Sequence, residues 1–299
     1  MAVPSEAVAL SLRVKRLSWA LGAEVVGIDM REPPSPALAD ALRRALADHG
    51  LLLFRDQPIT PAQQIAFMAA LGPLIGRDPL LAKHAHPEHP DILLVTNIRN
   101  KDGMQSATAT TGRQWHADQS YLPKPTLGCM LRCIEAPALG GTTYYNNMSL
   151  AYETLSDAMK AVLRRLRAMH NYLNYREHAN RPKLEAEIVE AIPAVKHPVV
   201  IRNPTTGRLA LFVNEMMVDR FAGMTPAESC GLLDYLNRHA TQPAFTYQHR
   251  WRPNDCLLWD NHAVMHYAPA DYDFRHPELP GNRRVMHRTT FAGQAPIPA

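Results

Sequence analysis

The amino-acid sequence predicts a mainly β protein, a β-sandwich or a jelly roll, with flanking helices packed outside. Signals for helix starts are few, and short runs typical of strands are concentrated from the middle to the end of the chain. The strands and helices do not alternate regularly, which argues against a doubly wound parallel sheet.

Three helices are predicted by a hydroxyl residue that can cap the first turn, followed by a proline at the first helical position. These pairs are Ser35-Pro36, Thr60-Pro61 and Thr225-Pro226. Gln63 and Glu228 stand three residues after the second and third caps, which is the capping-box arrangement. Gly50 and Gly72 are expected to end the first two helices. A fourth helix is predicted after Ser156, where apolar residues recur at helical spacing: Met159, Val162, Leu163 and Leu166.

Seven short apolar or alternating runs predict strands, because each has the length of a strand and is flanked by turn-forming residues. They cover residues 51–54, 92–95, 129–134, 199–201, 211–213, 256–259 and 285–291. Three polar stretches predict long loops, and long loops often form lids or binding loops. These stretches are residues 97–114, 269–282 and 174–198, the last with a possible helix over 184–191. No repeat or linker divides the chain, so residues 1–299 are expected to form a single domain.

Composition and charge restrict the class of protein. Of the 299 residues, 46% are hydrophobic, which allows a substantial core. The formal net charge of +4 comes from no concentrated block of lysine and arginine, so we expect no nucleic-acid partner. No apolar run is long enough to span a bilayer and the N-terminus lacks a signal-peptide pattern, so we expect a cytoplasmic protein without a membrane partner. The four cysteines form no CxxC pair and are expected to be buried thiols, not disulfides or zinc ligands: Cys129, Cys133, Cys230 and Cys256.

A candidate metal site begins with His116 and Asp118. Residues two apart on a strand share a face, so this imidazole and this carboxylate could bind one metal ion. The triplet alone is weak evidence, because a surface pair or a His–Asp hydrogen bond would use the same residues. The third ligand is expected after the strand 256–259 and a turn; His266 is our choice and His262 is the alternative. Two histidines and one carboxylate form the facial triad that leaves positions on iron(II) open for a co-substrate and dioxygen.

Two arginines near the end of the chain predict an anion site. If residues 285–291 form a strand, Arg284, Met286 and Arg288 share one face, so two cations could face the metal cavity. Guanidinium groups bind carboxylates in bidentate fashion. The alternative is an exposed basic strand edge. The motif Gly140-Gly141-Thr142-Thr143 predicts a tight turn that opens a strand, and a simple hairpin would explain it equally well.

Together these motifs resemble the taurine dioxygenase family, which also includes the 2,4-dichlorophenoxyacetate and alkylsulfate dioxygenases. The resemblance runs from about residue 17 to residue 293. The motifs that carry it, in chain order, are Leu53-Phe54-Arg55-Asp56-Gln57, Trp115-His116-Ala117-Asp118, Gly140-Gly141-Thr142-Thr143, Ala151-Tyr152-Glu153-Thr154-Leu155-Ser156, Trp259-Asp260-Asn261, His266-Tyr267-Ala268 and Arg284-Val285-Met286-His287-Arg288.

The resemblance implies a double-stranded β-helix, which is a jelly roll, with the metal at its mouth. It implies an iron(II)- and 2-oxoglutarate-dependent dioxygenase that hydroxylates a small organic anion with dioxygen and releases succinate and carbon dioxide. Thr143 and Arg284 match the pair that holds the distal carboxylate of 2-oxoglutarate, and Arg288 matches the arginine that meets the anionic substrate. Members form dimers and tetramers, so a homo-oligomer is expected. The iron ligands of the family fall on His116, Asp118 and His266.

The sequence departs from the taurine dioxygenase pattern where the substrate binds. Asp78-Pro79 stands where those enzymes carry a His-Pro that contacts the sulfonate, and Met216-Met217 replaces a segment containing an aromatic residue. A carboxylate at Asp78 would repel a sulfonate beside it. Methionines adapt to irregular apolar shapes, although core packing also explains them. We therefore expect Asp78 and Met217 to contact an aryloxyalkanoate-, sulfate ester- or sulfonate-like anion other than taurine.

Two other functions use the same residues. A non-catalytic jelly-roll protein could bind a small acid or a metal, with structural histidines. A zinc hydrolase could use the same three ligands, but it would leave Arg284 and Thr143 without a role.

Overall fold

The structure, a computed structural model, describes residues 12–75, 82–174 and 192–299. Within these ranges the strands are β1 (Val14–Arg16), β2 (Ala23–Val25), β3 (Leu51–Phe54), β4 (Leu93–Thr96), β5 (Gly128–Glu135), β6 (Thr143–Asn147), β7 (Arg167–His170), β8 (Val195–Pro198), β9 (Val200–Arg202), β10 (Leu209–Leu211), β11 (Val218–Phe221), β12 (Thr246–His249), β13 (Cys256–Asp260), β14 (Val264–Tyr267) and β15 (Val285–Thr290). The α-helices are α1 (Pro36–His49), α2 (Pro61–Leu71), α3 (Met148–Glu153), α4 (Asp157–Leu163) and α5 (Pro226–Ala240).

The helix signals in the sequence are confirmed at four starts. Thr60 accepts a hydrogen bond from Gln63 N–H, and the Gln63 side chain accepts one from Thr60 N–H, which completes a capping box at α2. The same box forms at α5. Gly50 ends α1 with φ of 71°, a conformation that glycine adopts at low cost. Ser35 and Ser156 cap α1 and α4.

A large sheet and a small sheet enclose the central part of the protein. The large one has seven strands in the order β1-β2-β3-β13-β5-β15-β4, and the small one has the order β12-β6-β14. Apart from the parallel pair β2 and β3, neighbouring strands in both sheets are antiparallel. Two smaller sheets, β11-β7-β8 and β10-β9, complete the described part. The expected mainly β fold with flanking helices is therefore confirmed.

The two apolar runs at β3 and β13 are buried on both faces. In β3, Leu52 and Phe54 pack with α1 and α2, whereas Leu51 and Leu53 pack against the inner cluster that contains Trp259. In β13, alternate residues divide between the same two clusters. Because helices cover one face and the protein interior covers the other, these strands read as continuous apolar runs without alternation.

Several sequence expectations differ from the structure. The apolar run 211–213 extends past β10, which ends at Leu211. The strands β1, β2, β7, β8, β11 and β12 were not predicted, because they are short and several carry charged or polar residues. The loop 97–114 contains a 3₁₀ turn, Ala107–Thr110, and the possible helix over 184–191 lies outside the described residues. Three cysteines are buried and none of the four is in a disulfide, but Cys230 is exposed on α5. Within the described ranges, no helix has the length and apolar character needed to cross a membrane.

Candidate active site

His116 and His266 are joined by their backbones. Each residue donates its N–H to the carbonyl of the other, at 3.0 and 2.9 Å, in an isolated antiparallel bridge. The ring centroids are consequently 4.0 Å apart. His266 is on β14, and His116 is on the loop that approaches this strand, so one strand edge brings together two residues 150 positions apart in the sequence.

Asp118 is positioned by a side chain and not by a strand ladder. The expectation that His116 and Asp118 lie on a regular strand is wrong, because the chain turns at Asp118 and the next residue, Gln119, has φ of 53°. The buried amide of Asn261 accepts a hydrogen bond from Asp118 N–H and donates one to the Asp118 carbonyl, both at 2.8 Å. Asn261 Nδ2 also donates to Thr126 O at 3.1 Å. The carboxylate still reaches both histidines.

These three side chains fit a divalent metal ion. His116 Nε2 lies 3.7 Å from Asp118 Oδ1, and His266 Nε2 lies 4.0 Å from Asp118 Oδ2. Two bonds of about 2.2 Å to one ion span about 4.4 Å, so both pairs are close enough to share it. One ligand atom from each residue lies within 4.8 Å of the others. His262 is buried against Phe212, outside this cluster, as expected for a structural histidine.

The protonation states also suit metal binding. His116 Nδ1 lies 2.8 Å from the carbonyl oxygen of Gln114, so Nδ1 carries the proton and Nε2 presents its lone pair. Burial lowers the pKa of His266 to about 3, which keeps that imidazole neutral. Burial acts to raise the pKa of Asp118, but nearby groups, the Arg288 guanidinium first among them, together outweigh burial and hold this pKa well below its usual range.

Arg288 lies against the candidate metal ligands. Its Nη1 is 3.1 Å from both carboxylate oxygens of Asp118. Arg288 is on β15, and Cys129 is on the paired strand β5. The thiol of Cys129 donates a hydrogen bond to Asp118 Oδ2 at 3.2 Å. One guanidinium and one thiol therefore both contact the carboxylate of Asp118.

One cavity contains all of the predicted site residues that the structure describes. Its walls include His116, Asp118 and His266, together with Thr143, Arg284, Arg288 and Met217. Asp118 is the single carboxylate among the described residues of this wall. Three arginines, Arg113, Arg284 and Arg288, line the cavity against one carboxylate, and this excess of positive charge favours an anionic ligand. Asp78 lies outside the described residues.

Arg284 is held rigidly and points into the cavity without a carboxylate partner among the described residues. The backbone N–H of Arg284 donates to Asn97 Oδ1 at 2.9 Å, and the side-chain Nε donates to the Gly141 carbonyl at 3.2 Å. Burial lowers the pKa of Arg284, yet an arginine in a protein keeps its charge. Met286, two residues further along, is buried in the core, so the face shared by the two arginines is not an exposed edge.

The Gly140-Gly141 turn places Thr143 next to Arg284. Both glycines have positive φ, 72° and 64°, and a Cβ on Gly140 would lie 1.9 Å from Asp271 O. Asp271 Oδ1 accepts from Gly141 N–H at 2.8 Å, so the segment after β14 fixes this turn. The indole of Trp251 donates to Thr143 Oγ1 at 3.0 Å, which leaves the hydroxyl proton of Thr143 to be donated to a ligand.

An apolar wall lines part of the same cavity as the metal ligands. Met216 and Met217 are buried with Tyr121, and the ring of Tyr172 lies 4.8 Å from that of Tyr121. All four side chains line the cavity. The sequence analysis identified the methionines but not the tyrosines.

Several positioning residues were missed because their sequence context is ordinary. Each of them holds another residue of the site through a hydrogen bond, and that bond forms only when segments distant in the sequence come together. Of these residues, only Asn261 belonged to a motif, Trp259-Asp260-Asn261; the others are Asn97, Cys129, Trp251 and Asp271.

Comparison with known proteins agrees with this geometry. The family model described as "Taurine catabolism dioxygenase TauD, TfdA family" matches residues 13–290. The chain is 29% identical over 297 residues to an alpha-ketoglutarate-dependent sulfate ester dioxygenase of Pseudomonas putida, with 97% of this chain and 92% of the relative covered. It is 31% identical over 283 residues to an (S)-phenoxypropionate/alpha-ketoglutarate-dioxygenase of Sphingobium herbicidovorans, with 93% of each covered.

A solved structure, that of AAD-2 in complex with Mn(II) and N-oxalylglycine, superposes with a TM-score of 0.80 at 28% identity. The match covers 96% of this chain and 99% of the other. Since the family model spans nearly the whole chain, the protein belongs to the TauD, TfdA family of 2-oxoglutarate-dependent dioxygenases.

Proposed function

We propose that this dioxygenase binds iron(II) through His116, Asp118 and His266, binds 2-oxoglutarate through Thr143 and Arg284, and hydroxylates a small organic anion. The observation that carries the proposal is the common cavity, in which three metal-ligand side chains lie beside two guanidinium groups. A zinc hydrolase would need the same three ligands, but it would give no role to Arg284 and Thr143. A non-catalytic jelly-roll protein that bound only a metal would give no role to Arg284 and Thr143, and one that bound only a small acid would have no need of three ligands around one point.

We also propose that the fold is one double-stranded β-helix spanning the single domain 1–299. Its support is the placement of the cavity between the two main sheets. Arg288 on β15 and Leu131 on β5 come from the large sheet, and Thr143 on β6 and His266 on β14 come from the small sheet.

The protein's own residues would orient the reactants and exclude water. Arg284 and Thr143 would hold the distal carboxylate of 2-oxoglutarate by one charged and one neutral hydrogen bond. Bound iron(II) would activate dioxygen, which is the oxidant: one oxygen atom would enter succinate as 2-oxoglutarate is oxidised with loss of carbon dioxide, and the other would be delivered to the substrate. The apolar wall would keep the substrate carbon close to the metal ligands.

The substrate is proposed to carry one anionic group that binds Arg288. Arg288 lines the cavity close to Asp118, so an anion bound there would bring its nearby carbon toward the metal position. The wall of two tyrosines and two methionines suits an aryl or branched alkyl group. Two relatives are named for a sulfate ester and a phenoxypropionate, and both classes join an anionic group to an apolar body. A sulfate ester or an aryloxyalkanoate is therefore favoured over taurine.

A substrate panel tests this function. Purified protein with iron(II), ascorbate and 2-oxoglutarate would be offered sulfate esters, aryloxyalkanoates and sulfonates, and succinate would be measured. We expect substrate-dependent succinate from at least one aryl or branched alkyl anion, and none from the His266→Ala variant. Turnover with zinc and without dioxygen would indicate the hydrolase instead. Equal turnover of a neutral amide of the substrate would contradict the anion site.

A further inference from the structure

Tyr145 occupies the centre of the inner face of the small sheet. It lies two residues after Thr143 on β6, so the two side chains share a face, and it is directly opposite His266 on β14. Its ring stacks on the His266 imidazole, with centroids 6.0 Å apart and planes at 21°, and packs on Trp259 at 5.7 Å. The residue is fully buried.

The phenol of Tyr145 has no hydrogen-bond partner in residues 12–75, 82–174 and 192–299. Its side chain nevertheless lines the cavity together with Thr143 and Arg284. Buried hydroxyl groups in native proteins nearly always have a partner. Phenylalanine would fill the same space without this polar atom, so the hydroxyl at the cavity wall is best explained by a partner that a bound molecule supplies.

The position of the phenol indicates which ligand this is. Thr143 marks the end of the cavity where the distal carboxylate is proposed to bind, and His266 marks the metal end. Tyr145 is the neighbour of Thr143 along β6 and of His266 across to β14, on the same sheet face, so a molecule that reaches from Arg284 to the metal ligands would lie beside it. A phenol carries its proton at neutral pH, so this hydroxyl can donate a hydrogen bond to an anion.

We propose that Tyr145 is a further co-substrate-binding residue, whose hydroxyl donates a hydrogen bond to a carboxylate oxygen of 2-oxoglutarate. The inference depends on the proposed function of Arg284 and Thr143. It adds a third donor, on the side of the cavity formed by the small sheet.

The test is Tyr145→Phe, which removes one oxygen atom, with Tyr144→Phe as the matched control. Tyr144 is on the same strand but on its opposite face, and it undergoes the same chemical change. Each protein would be loaded with Mn(II), and its affinity for N-oxalylglycine, which has the two carboxylate groups of 2-oxoglutarate, would be measured by calorimetry. Loss of one hydrogen bond should raise the dissociation constant about tenfold in Tyr145→Phe. Tyr144→Phe should bind as the wild type does.

Stability and metal affinity complete the experiment. Without ligands, Tyr145→Phe should melt at the same temperature as the wild type or higher, because the phenol has no partner to lose. Its Mn(II) affinity should be unchanged. If wild type fails to bind N-oxalylglycine, the proposed function is wrong. If wild type binds and Tyr145→Phe binds equally well, the inference about Tyr145 is wrong. A lower melting temperature of the ligand-free variant would also overturn it, because the hydroxyl would then have a partner within the protein.

Discussion

The side-chain amide of Asn261 makes two hydrogen bonds to the backbone of Asp118. It accepts from the Asp118 N–H and donates to the Asp118 carbonyl, both at 2.8 Å. Asp118 begins a turn and is followed by a residue with positive φ, so no strand ladder fixes its direction. The amide of Asn261 therefore performs the positioning that strand pairing performs for His116 and His266.

Replacing Asn261 with alanine should weaken metal binding. Loss of an outer-shell partner typically lowers metal affinity about 10- to 100-fold. The measurement is anaerobic Mn(II) titration followed by calorimetry. Asn147→Ala is the matched control, because this asparagine also uses its side chain on backbone groups, Leu150 N–H and Ala20 O, away from the cavity. The control should lose some stability and retain the wild-type Mn(II) affinity. Equal Mn(II) affinities in the wild type and both variants would show that metal binding does not depend on the hydrogen bonds from Asn261 to Asp118.

The choice between His266 and His262 can be tested directly. His266→Ala should abolish Mn(II) binding and turnover, as should His116→Ala and Asp118→Ala, because two ligands compete poorly with water for the ion. His262→Ala should retain the metal, since its ring lies against Phe212 and outside the ligand cluster. Metal retained by His266→Ala but lost from His262→Ala would reverse the assignment.

The co-substrate site predicts a ranked loss of affinity. Arg284→Ala leaves a desolvated carboxylate without its cation and should cost about 2 to 5 kcal/mol, or roughly thirtyfold or more in 2-oxoglutarate affinity. Thr143→Ala removes one hydrogen bond and should cost about 1 kcal/mol. Arg283→Ala is the matched control, because the neighbouring guanidinium is exposed and pairs with Glu135 at 2.9 Å. The affinity is measured anaerobically from the weak visible charge-transfer band that iron(II) and 2-oxoglutarate should produce when they bind together in the site. A fall in Arg283→Ala as large as in Arg284→Ala would indicate a general charge effect.

Arg288→Ala should separate substrate binding from metal binding. The apparent dissociation constant of the anionic substrate should rise at least tenfold, since a charged partner is lost. Metal affinity should hold or increase, because Arg288 contacts both oxygens of Asp118 and so competes with an ion for them. Titrating Mn(II) and the active panel compound into the same protein measures both quantities. An Arg288→Ala protein that loses the metal would show that this arginine supports Asp118.

The buried His262 predicts a loss of stability in mild acid. Burial lowers its pKa from 6.5 to about 4 in the folded protein. The unfolded chain therefore takes up the proton at higher pH, so this group's contribution is complete above pH 6.5 and is lost as the pH falls toward 4. The slope from one such group is at most about 1.4 kcal/mol per pH unit. Urea unfolding at intervals between pH 7.5 and 4 should show a shallower decline for His262→Phe than for the wild type. Identical slopes would mean that His262 is not buried as a neutral ring.

The residues that line the cavity could largely be predicted from the sequence, because the proposed metal and carboxylate binding requires particular side chains. The residue types of His116, Asp118, His266 and Arg284 restrict what they can bind, and their motifs have a fixed order along the chain. The helix starts were equally readable, since a cap such as Thr60 acts on residues three positions away. Interactions between residues close in the sequence, such as helix caps, can therefore be predicted from short sequence motifs.

The remaining features depend on contacts between segments far apart in the chain. The strand expected at Asp118 is replaced by a turn, which Asn261 stabilises from 143 residues away. The cavity wall gains Tyr121 and Tyr172 only when their loops meet Met217. The phenol of Tyr145, which has no hydrogen-bond partner in the part of the chain that the structure describes, cannot be recognised from the sequence, because burial and hydrogen bonding are properties of its surroundings in the folded protein.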